Sequence, residues 1–68
     1  MTQKARELLV IMAEKYDTVK DSSLGFTDYM SFPDTVIDEL VSMGCVVKQN
    51  DIVGTIELTK FGYAEARK

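Results

Sequence analysis

Val36-Ile37-Asp38-Glu39-Leu40-Val41-Ser42-Met43-Gly44-Cys45-Val46 changes its pattern within eleven residues. Val36, Ile37, Leu40 and Val41 recur at helical spacing and predict the buried face of a helix over about Phe32 to Met43. Ser31 is the expected N-cap, Pro33 fits the first turn, and Asp34 completes a capping-box spacing. Gly44 is placed where a helix ends in a left-handed residue. Cys45 to Lys48, with β-branched Val46 and Val47, then reads as a strand.

Outward from this stretch, Gln49-Asn50-Asp51 forms a polar turn and Val53 to Leu58 a return strand, giving an antiparallel hairpin. Thr59 caps a short last helix running toward Lys68, with Phe61 and Ala64 on one face. At the other end, residues 2–15 carry the strongest helix signal. Ala5, Leu8, Leu9, Met12 and Ala13 form its apolar face, with Thr2 as cap, and Val10 and Ile11 widen the stripe toward a second element or a second copy of the chain. Tyr16 to Met30 reads mostly as loop. Phe26 to Met30 allows one helical turn, capped by Thr27 or entered from Ser23, with Phe26 and Met30 facing inward.

Ile56-Glu57-Leu58-Thr59-Lys60-Phe61-Gly62 and the stretch quoted first are together similar to the third helix, wing and closing helix of the winged helix-turn-helix superfamily, as found in small regulators of bacteria and phages. The resemblance covers residues 31–66. It implies an α+β, winged-helix-like fold in one domain, residues 1–68. Two main helices and a short C-terminal helix pack with a two-stranded antiparallel hairpin, the wing; the family normally has a full second helix, and here, with only Ser23 to Met30 available, it is short or degenerate. The competing arrangement is a two-helix module packed on a hairpin without a true helix-turn-helix.

A chain of 68 residues with 46% apolar side chains can bury one small core and is too apolar for a disordered tail. Cys45 is alone, so no internal disulfide is available, and it reads as a buried apolar residue. Met1-Thr2-Gln3-Lys4 does not resemble a signal peptide, and no apolar run approaches a membrane span; a cytoplasmic location is the expectation. Histidine is absent, the serines have no base at a useful spacing, and the four glycines lack phosphate-loop spacing. Asp34, Asp38 and Glu39 read as a solvated acidic helix face before they read as a cation site. The expectation is therefore a protein without enzymatic activity, cofactor, metal or small-molecule substrate.

Two partners stay open. The winged-helix resemblance implies DNA, contacted by the third helix and the wing, for which Ser31, Thr35, Lys48, Gln49, Asn50 and Lys60 are the candidate residues. Residues 31–44, however, contain no Lys or Arg. Their charge of −3 equals that of the whole chain, residues 1–30 carrying −1 and residues 45–68 +1. Such a surface repels phosphates and suits a protein partner or self-association, through Asp34, Thr35, Asp38 and Glu39 or through Val10 and Ile11.

Overall fold

A computed structural model describes all 68 residues as four helices and one three-stranded antiparallel sheet, an α+β arrangement. Helix α1 spans Gln3–Val19, strand β1 Ser23–Leu24, helix α2 Phe26–Tyr29 and helix α3 Asp34–Ser42. Strand β2 (Val46–Lys48), strand β3 (Ile56–Leu58) and helix α4 (Lys60–Ala66) follow.

The Thr2 hydroxyl accepts from the Ala5 N–H and starts α1, whose buried residues are the expected Ala5, Leu8, Leu9, Met12 and Ala13. The helix runs a turn beyond the expected residue 15. Its last turns are held by α4: Tyr16 meets Tyr63 edge-to-face at 5.6 Å, and Asp17 takes a hydrogen bond from the Tyr63 hydroxyl and pairs with Arg67. These partners lie about fifty residues away in sequence, so local periodicity does not show them.

The loop reading of the middle segment misses a strand. Asp21 accepts from the Ser23 N–H and hydroxyl, which turns the chain so that Ser23 pairs with Glu57 and Leu24 with Ile56. The sheet order is β1-β3-β2, with Val46 opposite Leu58 and Lys48 opposite Ile56. The hairpin expected from Val53 narrows to Ile56–Leu58 because residues 49–55 form a loop.

In α2 the expected orientation is reversed. Phe26 and Met30 are exposed, and Tyr29 is buried, donating its hydroxyl to the Gly54 carbonyl. Gly25, not Thr27 or Ser23, stands at the cap position. Ser31 does not cap α3 either. The Phe32 N–H bonds to the Tyr29 carbonyl, so Ser31 belongs to the turn leaving α2, and extended Pro33 stands immediately before a helix that begins at Asp34. Val41, expected inside, is exposed, while Val36, Ile37 and Leu40 are buried.

The end of α3 follows the expectation. Gly44 is left-handed at φ 77°, its N–H reaches the Val41 carbonyl, and the Cys45 N–H reaches that of Leu40. Cys45 is fully buried, and this burial raises its thiol pKa. Thr59 caps α4, accepting from the Gly62 N–H and donating to the Gly44 carbonyl. Phe61 of α4 is exposed; the face of that helix turned inward centres on Gly62. A Cβ at Gly62 would overlap the Cys45 backbone carbonyl.

Gly62→Ala is expected to cost at least about 1–3 kcal/mol, as overpacking against an unyielding backbone does. Gly25→Ala, with open space around it, should cost less than about 1 kcal/mol. Urea denaturation of the two variants checks the contrast, and equal midpoints would contradict the close approach of α4 to the Cys45 backbone.

Candidate functional site: the acidic helix and the hairpin end

β2 runs from Val46 to Lys48 toward the loop at 49–55 and packs against α3, to which the Gly44 turn joins it. Asp38 therefore comes beside Lys48, Oδ1 to Nζ 3.6 Å, and Asp34 lies one turn farther toward the loop. α2 reaches the same end, because β1 is antiparallel to β3 and Tyr29 is tied to Gly54. The acidic half of α3, the whole of α2 and the hairpin loop thus share one end of the molecule.

Asp34, Thr35 and Asp38 are exposed there, as expected of contact residues. Glu39 is not available in the same way. Its carboxylate accepts from the Thr2 N–H and from the Thr2 hydroxyl, both at 2.8 Å, and so ties the start of α1 to α3. The Thr2 backbone bond, more than any other contact, lowers the Glu39 pKa. Val10 is half-buried and Ile11 exposed on α1, where with Phe32, Gln3, Lys4, Arg6 and Glu7 they line a shallow groove of about 420 Å³.

The residues suggested for DNA divide. Lys48, Gln49 and Asn50 lie at the hairpin, but Lys48 sits beside Asp38 and the Gln49 side-chain amide donates to Glu57. Ser31 is exposed in the turn before α3. Lys60 lies past the far end of β3, lining a groove of about 380 Å³ with Tyr16, Ser22, Leu58, Thr59 and Tyr63. It is not brought together with the hairpin tip.

Where the sequence predicts a turn of three residues, Gln49-Asn50-Asp51, the structure has a loop over residues 49–55. One oxygen of Asp51 accepts from the N–H groups of Gly54 and Thr55, at 2.9 and 3.1 Å, and Gly54 is left-handed at φ 77°. The Thr55 bond contributes most to lowering the Asp51 pKa. This closure leaves Ile52 wholly exposed and Val53 59% exposed. The signal was present as Asp51-Ile52-Val53-Gly54, an Asp followed three residues later by Gly, yet Val53 read as the opening of a strand.

No three carboxylate, thiol or imidazole groups converge as metal ligands. No helix is long and apolar enough to cross a membrane. Compared with known protein families, with curated proteins and with solved structures, the chain matches none.

The Thr2–Glu39 contact has a pH signature. Folding lowers the Glu39 pKa from its ordinary value of 4.5, so the stabilisation is complete above that value and fades as pH falls through the lower folded one. Glu39→Gln should lower the urea midpoint at neutral pH, and the gap to the parent should shrink below pH 4.5. A gap that stays constant between neutral and acidic pH would contradict the contact.

Proposed function

We propose that this chain is a non-catalytic regulatory binding module of winged-helix type that docks a basic segment of a protein partner against the exposed face of α3. The fold reading is supported by the order of elements: a long helix, a one-turn second helix, a third helix ending at Gly44, a hairpin, and a closing helix capped by Thr59. The one-turn α2 is where the chain departs from the full second helix usual in that family.

The observation that carries the functional reading is the absence of any Lys or Arg between Lys20 and Lys48, the segment that builds α2 and α3. Asp28, Asp34 and Asp38 are exposed on those helices. The nearest hairpin cation, Lys48, stands next to Asp38, so a phosphate approaching it would also meet a carboxylate. That ion pair is exposed on both sides and opens at little cost, so Asp38 is free to exchange Lys48 for a partner's cation.

Fluorescence anisotropy with an oligolysine peptide and with duplex DNA tests this reading at about 50 mM salt. The peptide is expected to bind, to weaken as salt rises, and to be lost on Asp34→Lys plus Asp38→Lys; the DNA is expected not to bind. Salt-dependent DNA binding that weakens on Lys48→Ala would contradict the proposal and assign contact to the hairpin.

A further inference from the structure

The end of the molecule that carries the acids also carries four exposed apolar side chains, among them Ile52, the most exposed of all. Ile52 is 105% and Val53 59% exposed in the hairpin loop, Met30 61% and Phe26 46% at α2. Phe26 and Met30 are four apart, hence on one side of that turn. A Cβ at Gly54 would stand 3.6 Å from the Phe26 Cβ, so the loop closes directly against α2. The Asp51 hydrogen bonds and the Tyr29–Gly54 bond hold this shape without drawing Ile52 or Val53 into the core. An ordered loop that projects two aliphatic side chains costs little entropy to dock.

We propose that Ile52, Val53, Phe26 and Met30 form the apolar anchor of the docking surface, and that its occupant is an amphipathic helix of a partner protein whose apolar strip is flanked by Lys and Arg. This rests on the acidic-face reading above and adds the partner's shape and pattern to it. Charge complementarity selects the occupant. Asp28 on α2 and Asp34 and Asp38 on α3 are exposed on the elements that share this end with the apolar side chains, and the nearest hairpin cation, Lys48, stands beside Asp38. Apolar residues flanked by cations along a helix complement that arrangement. A surface of anionic lipid or of nucleic acid does not, since the carboxylates of Asp28, Asp34 and Asp38 would face its phosphates.

Two peptides of equal length and charge separate the anchor from the acids: a helical Leu/Lys peptide with its leucines on one face, and the same peptide with Ser at every Leu. The Leu/Lys peptide is expected to bind the full chain at least about tenfold more tightly by titration calorimetry. Ile52→Ser plus Val53→Ser should remove that preference while leaving the Ser/Lys affinity unchanged. Met30→Ser is a second, single change expected to reduce the preference in part. Circular dichroism should be that of the parent for all of these variants, since each side chain is exposed.

Equal binding of the two peptides, lost on Asp34→Lys plus Asp38→Lys, would overturn the anchor and leave the acidic-face reading standing. Failure of both peptides to bind would overturn both. Binding of the parent to phosphatidylcholine vesicles, abolished by Ile52→Ser plus Val53→Ser, would assign the anchor to a lipid surface and overturn the proposal. A concentration-dependent dimer removed by the same pair of substitutions would overturn it in favour of a second copy.

Discussion

Three residues, Ile56-Glu57-Leu58, hydrogen-bond to a strand on each side, and the placement of everything else follows from that. Ile56 and Leu58 point inward and are buried, so β3 is fixed in register by its apolar face as well as by its ladders. Because β1 and β2 both run antiparallel to it, the chain leaving β1 and the chain entering the hairpin emerge at the same end. α2 and the loop at 49–55 are thereby neighbours, and the Tyr29 hydroxyl bond to Gly54 joins them. At the opposite end of β3, Thr59 and Gly62 bring α4 against the Cys45 carbonyl.

This geometry divides the molecule by packing. One end is devoted to closure: the Gly44 turn, the Thr59 cap and the Gly62 approach seal the core around Cys45, Val46 and Leu58. The other end leaves side chains unused by the core, aliphatic in the loop and acidic on the helices. A core of 14 buried apolar residues with no buried polar group has no need of Ile52, Val53 or Met30. Their exposure around the loop is the observation on which the proposed contact surface rests.

The elements with strong local signals were legible from sequence. The apolar face of α1, the Gly44 stop, the β2–β3 pairing and the Thr59 cap each depend on residues within a few positions of one another. What was not legible depended on distant partners. Ser23 and Leu24 become a strand only because β3 has an open edge, and two residues carry no periodicity of their own. Phe26 and Met30 appeared to be the inward pair of α2, but one turn has no second turn to define its face, and Tyr29 wins because Gly54 offers its hydroxyl an acceptor. Of the site, the acidic residues Asp34 and Asp38 were visible as a charge pattern. Glu39 was grouped with them because its partner, Thr2, lies 37 residues away. β-branched Val53 reads as the opening of a strand, and Ile52 falls between the expected turn and that strand.

The α2, α3 and hairpin-loop end of the molecule is the proposed contact surface. Backbone amide chemical shifts of the isotopically labelled chain, followed during titration with the Leu/Lys peptide, test it most directly. The expected perturbations fall on residues 26–30, 34–38 and 50–54 and leave α4 and the Lys60 groove undisturbed. Perturbations centred on Tyr16, Lys60 and Tyr63, or on Val10 and Ile11, would contradict it.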